Sequence, residues 1–149
     1  MAVQFNHTII LSRDREKSAQ FLAEILGLSV GRPFGPFLPV VTANGVTLDF
    51  LTVGTDIPMQ HYAFLVSEEE FDRILARLVQ QKVPIWADPH GQEPGRINRN
   101  DGGRGVYFLD PSGHGMEAFT RPYGSDPSSP LHGVTEEVPG AAVSDKFPR

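Results

Sequence analysis

Two histidines and two carboxylates stand in strand-like stretches rich in apolar residues. His7 lies in QFNHTIIL (residues 4 to 11), His61 in QHYAFLV (60 to 66), Asp49 in VTLDF (46 to 50) and Glu117 in GMEAF (115 to 119). In a strand, residues two apart share a face. His7 therefore goes with Phe5, Ile9 and Leu11, His61 with Ala63 and Leu65, Asp49 with Thr47 and Leu51, and Glu117 with Gly115 and Phe119. Each polar group is expected on a face that otherwise reads as core. Burying such groups unpaired is costly, and shared coordination of a divalent cation by neutral imidazoles and carboxylates offsets that cost. Two His and one carboxylate leave coordination positions open, an arrangement suited to Fe2+ and compatible with Mn2+, Ni2+ or Zn2+. The 149 residues contain no cysteine, so disulfides, thiolate ligands and Cys nucleophiles are excluded, and any metal must be held by His, Asp or Glu.

The elements that would position these groups form two similar halves. A strand at 4–11 is followed by an amphipathic helix at 14–26, with Ala19, Leu22, Ile25 and Leu26 on its apolar face and Gly27 placed to end it. Strands follow near 29–32, 37–43 and 46–53, the last two joined by a turn at Ala43, Asn44 and Gly45. The order then begins again: a strand at 60–66, and a helix at 68–81 striped by Phe71, Ile74, Leu75 and Leu78 and opened by Ser67 with Glu70. A short strand at 84–87, a long loop at 88–103 and strands near 104–109 and 115–120 complete the second half. His61 follows His7 by 54 residues (61 − 7), and the two helices match at the same offset. The fold class expected is α+β, with two tandem βαβββ modules, about 4–53 and 59–121, forming a half-open barrel around a central cleft. Pseudo-twofold packing of the two modules would bring both histidines near the axis. Residues 124–149 are rich in Ser, Pro and Gly without periodicity and read as a flexible tail or an arm lying on a partner.

Composition narrows the partners. The net charge is −5, with no basic stripe for a phosphate backbone, so nucleic acid is not expected. No apolar run approaches the roughly 20 residues that span a bilayer, and the N-terminus carries no basic leader; a soluble cytoplasmic protein with no membrane partner is expected. The remaining candidates surround a small-molecule substrate. Phe37, Trp86 and Phe119, with Phe34, would give a cleft an apolar lining. Arg99 and Arg104 are either solvated loop charges or forked donors to an anionic substrate. Tyr107 either packs in the core or bonds a substrate oxygen, and Asp49 acts as a ligand, as a base, or as a cap for neighbouring backbone.

Residues 4 to 121 resemble the vicinal oxygen chelate superfamily, which includes glyoxalase I, fosfomycin-resistance enzymes, extradiol dioxygenases, methylmalonyl-CoA epimerase and bleomycin-resistance proteins. The resemblance rests on NHTIILSRDREKSAQFLAEILGL, QHYAFLV and GVYFLDPSGHGMEAF. It implies His7, His61 and Glu117 as metal ligands, with Asp49 where glyoxalase-like members add a further carboxylate. Val106-Tyr107, then Asp110-Pro111-Ser112-Gly113, then Glu117 are similar to the extradiol dioxygenase signature, with Arg99 standing where that signature has a His. The resemblance further implies a homodimer, in some members with modules exchanged between chains. The activity expected is a metal-dependent dioxygenase or a glyoxalase-type isomerase or lyase, in which the ion chelates two adjacent oxygens of a small substrate. The alternative is a non-catalytic antibiotic-binding protein using the same cleft.

Overall fold

The computed structural model describes residues 2–145 and residue 147. It divides into two compact units: residues up to Pro58 together with Asp110–Ser112, and Met59–Leu109 together with Gly113 onward.

The first unit runs β1 (His7–Ser12), α1 (Arg15–Leu26), β2 (Phe37–Val41) and β3 (Thr47–Thr52). Its sheet has the order β1-β3-β2, with β1 parallel and β2 antiparallel to β3. Asp14 caps α1 by accepting from the backbone N–H groups of Glu16 and Lys17, and Gly27 ends it in the left-handed conformation at φ 71°. Alternation in β1 sends Ile10 and Ser12 to the covered side, where Leu38, Val40, Leu48 and Phe50 are also buried with Ala19, Leu22, Ile25 and Leu26 of α1. The other face carries His7, Ile9 and Leu11. The strand expected at 29–32 contracts to a bridge between Val30 and Val40. Pro33 and Pro36 lack the N–H groups that a longer ladder would need.

The second unit runs β4 (His61–Leu65), α2 (Glu68–Gln80), β5 (Arg96–Asn98), a 3₁₀ turn at Asn100–Gly102, β6 (Gly105–Leu109), β7 (Gly115–Phe119) and β8 (Thr135–Glu137). The sheet order is β4-β7-β6-β5-β8, with β4 parallel to β7. Ser67 caps α2 by accepting from the Glu70 N–H at 3.1 Å, while the Glu70 carboxylate turns to Arg73 rather than closing a capping box. Phe71, Ile74 and Leu78 of α2 are buried, as are Val106, Phe108, Met116 and Ala118, which share one face of β6 and β7. The strand expected at 84–87 reduces to Trp86, which exchanges both backbone bonds with Tyr107 at 2.8 and 2.9 Å. The stretch read as a long loop is partly regular. It contains β5, and Asn98 Nδ2 donates to the Ala87 carbonyl at 2.9 Å.

Both sheets are open, as the α+β reading of two successive modules requires, and no helix among the described residues is long and apolar enough to cross a membrane. Beyond residue 121 the sequence suggested no element, yet β8 pairs antiparallel with β5 through Arg96–Glu137, Ile97–Glu136 and Asn98–Thr135. Upstream of β8, buried Asp101 accepts from the N–H groups of Gly124 and Asp126 at 3.2 and 3.0 Å and lies 3.5 Å from His132 Nε2. Asp101 itself sits at φ 55°, a left-handed position that Asp tolerates better than Ala. Asp101→Ala is therefore expected to destabilise the protein by about 2 kcal/mol or more, through two orphaned N–H groups and added backbone strain. Urea unfolding measures the loss, and a change below about 0.5 kcal/mol would contradict this role.

Candidate metal centre

The second unit brings two of the expected ligands together. Parallel pairing places Ala63 of β4 opposite Glu117 of β7, so His61, two residues before Ala63, projects on the same face as Glu117. His61 Nε2 and Glu117 Oε1 are 3.0 Å apart. The Glu117 side chain is only 2% exposed, whereas that of His61 is 48% exposed. β7 lies between β4 and β6 and is buried on both faces, while β4 is an edge strand. The expectation that both imidazoles are buried is corrected on this point: His7, on edge strand β1, is exposed and bonds Asn6 Oδ1 through Nδ1 at 2.8 Å. Alternation fixes which residues share a face but not whether that face is covered.

Glu117 has a second partner, one the sequence did not reveal. The Tyr123 hydroxyl donates to Glu117 Oε2, and Tyr107 and Tyr123 place their hydroxyl oxygens 3.2 Å apart. A phenol has one proton to give, and Tyr123 gives its proton to Glu117, so Tyr107 is the donor in the second bond. The Tyr123 ring stacks on Phe119, with centroids 5.4 Å apart and an interplanar angle of 18°, and the Tyr107 ring lies 5.9 Å from the His61 ring. Burial, followed by the hydrogen bond to Tyr123 and the charge of Glu117, pushes the Tyr107 phenol far above its ordinary value. Burial, followed by the bond to Glu117, pushes Tyr123 up to about 12. Both remain neutral donors at physiological pH. Tyr123 follows the last periodic strand in a Pro- and Gly-containing stretch, and only the path of the chain brings it back over Glu117.

The first unit repeats the pattern. Ile9 of β1 lies opposite Asp49 of β3, so Asp49 stands to His7 in register as Glu117 stands to His61. His7, Asp49 and Phe37 line one cavity of about 340 Å³ together with Ile9, Phe34 and Pro39. Such a volume suits a small molecule. Among the described residues no group of three or more His, Asp or Glu side chains gathers at ligand spacing. Other expected site residues are engaged elsewhere. Trp86 is fully buried, its ring edge-on to Phe147 at 4.9 Å. Arg99 Nε pairs with Glu136 at 2.6 Å, and Arg104 pairs with Glu68 and Asp72 at 2.9 and 2.8 Å while lying over the Phe71 ring. Neither guanidinium is turned toward His61 and Glu117.

The chemistry of the pair fits a divalent ion. His61 Nε2 and Glu117 Oε1, 3.0 Å apart, would be the two atoms to hold it. An imidazole and a buried carboxylate are the donor types such an ion selects.

The fold and the paired faces define a class of proteins built from two modules, each carrying a His on its first strand and a carboxylate on the strand parallel to it. A model of the Glyoxalase/Bleomycin resistance protein/Dioxygenase superfamily matches residues 4–118, and the chain belongs to that superfamily. It is 32% identical over 123 residues to the glutathione transferase FosA of Serratia marcescens, covering 78% of this chain and 80% of the relative. It is 34% identical over 128 residues to the metallothiol transferase FosB of Lysinibacillus sphaericus (strain C3-41), covering 80% and 84%. Among solved structures, oxidase ChaP-H2 is 56% identical with a TM-score of 0.83, over 85% of this chain and 99% of that one. These relatives are enzymes by name.

The geometry makes a prediction about the tyrosines. In Glu117→Gln the loss of the carboxylate charge should bring the Tyr123 phenol down from about 12, without returning it to its ordinary value, because burial is the larger cause and remains. Ultraviolet-monitored alkaline titration of wild type and variant checks this, and superimposable curves would contradict it.

Proposed function

We propose that the protein is a divalent-metal-dependent enzyme that oxidises a small substrate bound through two adjacent oxygen atoms, with His7, His61 and Glu117 as ligands and Fe2+ as the metal. The observation that carries the reading is the His61–Glu117 pair, a 3.0 Å donor edge with a buried carboxylate and a half-exposed imidazole. The 56% identity to an oxidase favours the oxygen-using branch over thiol transfer or isomerisation. Bound there, the ion would supply a Lewis acid for the two substrate oxygens and, as Fe2+, electrons for oxygen.

The chain's own residues supply the rest. Glu117 compensates the ion's charge in a site partly shielded from water, where that charge weighs more. Asp49 takes a proton from the substrate or adds a further oxygen ligand. Phe34, Phe37, Ile9 and Pro39 give the substrate an apolar seat beside His7 and Asp49. We further propose that the triad is completed in a homodimer, with His7 of one chain joining His61 and Glu117 of the other. In support, Phe5, Ile9, Phe34, Met59 and Leu65 stand exposed, apolar surface that a second chain would cover. The 32% and 34% identities to thiol transferases support a second reading, in which the same ion activates a small electrophile toward a thiol.

Oxygen uptake by Fe2+-loaded protein with aromatic ortho-diols, set beside thiol consumption with small epoxides, separates the two readings. Oxygen consumption that is lost in His61→Ala and Glu117→Ala is expected, and thiol consumption alone would favour the second reading. The assembly has its own test. Mixing and refolding inactive His7→Ala and Glu117→Ala chains should restore about a quarter of wild-type activity, because half of the dimers carry one intact site of two. No recovery would place the three ligands in one chain. Asp49→Asn should lower turnover by about 10²- to 10⁴-fold with the metal retained if Asp49 is a base, whereas loss of metal would make it a ligand.

A further inference from the structure

We propose that Tyr123 is a positioning residue that fixes the Glu117 carboxylate so that Oε1 alone faces His61, and thereby sets the affinity and coordination of the metal. The inference rests on the metal reading above. One Glu117 carboxylate oxygen faces His61 Nε2 at 3.0 Å, and the other accepts the Tyr123 hydroxyl proton. The terminal torsion of a Glu side chain is broad and roughly two-fold, so an untethered carboxylate turns either oxygen, or both, toward a cation. Tyr123 removes that freedom.

Tyr123 is itself held from three directions. Tyr107 donates to its oxygen at 3.2 Å. Phe119, two residues beyond Glu117 on the same face of β7, stacks on its ring. Asp101 takes the N–H groups of Gly124 and Asp126, fixing the backbone that leaves Tyr123. Tyr123 as a whole residue is nevertheless 63% exposed, the desolvation being felt at its hydroxyl, which is turned onto Glu117 and Tyr107. An aromatic residue this exposed fills little core, and its hydroxyl is committed to a buried carboxylate. Partners of this kind, one bond removed from a metal, change affinity by roughly ten- to a hundredfold when removed.

The experiment is a Co2+ titration of metal-free, full-length wild type, Tyr123→Phe and Tyr107→Phe, followed by visible absorption, with thermal unfolding of each metal-free protein alongside. Wild type should take up Co2+. Tyr123→Phe should bind it roughly ten- to a hundredfold more weakly and with visible bands altered in position and intensity, a change of coordination that a drop in unfolding temperature would not by itself produce. Tyr107→Phe, which leaves the bond to Glu117 in place, should lose less. Wild-type affinity and spectrum in Tyr123→Phe would overturn the proposal. So would weakened binding with an unaltered spectrum and a lowered unfolding temperature, which would make Tyr123 a packing residue only. Failure of wild type to bind Co2+ would instead remove the metal reading, and this inference with it.

Discussion

The parallel register of β4 on β7 is the constraint on which the site depends. It sets Ala63 against Glu117 and so puts the His61 imidazole within 3.0 Å of a carboxylate in a strand buried on both faces. A slip of one residue would turn Glu117 into the apolar side with Met116 and Ala118 and leave His61 facing no partner. A buried carboxylate tolerates that position only with donors around it, and His61 and Tyr123 are those donors. β1 on β3 repeats the register with Ile9 against Asp49, a His and an acid in the same relation on a more open face.

Much of this was legible in the sequence. Alternation assigned His7, His61, Asp49 and Glu117 to their faces, Gly27 marked the end of the first helix and Ser67 the start of the second, because those signals are local. What failed depended on partners distant in sequence. Exposure of the two imidazoles follows from β1 and β4 being edge strands, which no pattern within a strand reports. β8 is three polar residues, Thr-Glu-Glu, held by hydrogen bonds to β5 and by ion pairs such as Arg99 with Glu136 rather than by an apolar stripe. Ion pairs with Glu136 and with Glu68 and Asp72 likewise engage Arg99 and Arg104, since a charge in a loop does not disclose which opposite charge it will meet. Tyr123 lay outside any periodic segment and became visible only through the hydroxyl it gives to Glu117.

Family and geometry bear on the proposed chemistry from different directions. The chain belongs to the superfamily, the proposed oxidation draws on its 56% identity to an oxidase, and the His61–Glu117 edge is where the proposed metal would sit. The cavity beside His7 and Asp49, walled by Phe34, Phe37, Ile9 and Pro39, is of a size that suits a small molecule.

The central claim is that His61 and Glu117 are metal ligands, and elemental analysis of protein purified without a metal-affinity tag, beside His61→Ala, tests it most directly. The account predicts near-stoichiometric divalent metal in wild type and its loss in the variant. Wild type that holds no divalent ion after reconstitution, or a His61→Ala variant that keeps its full complement, would contradict it.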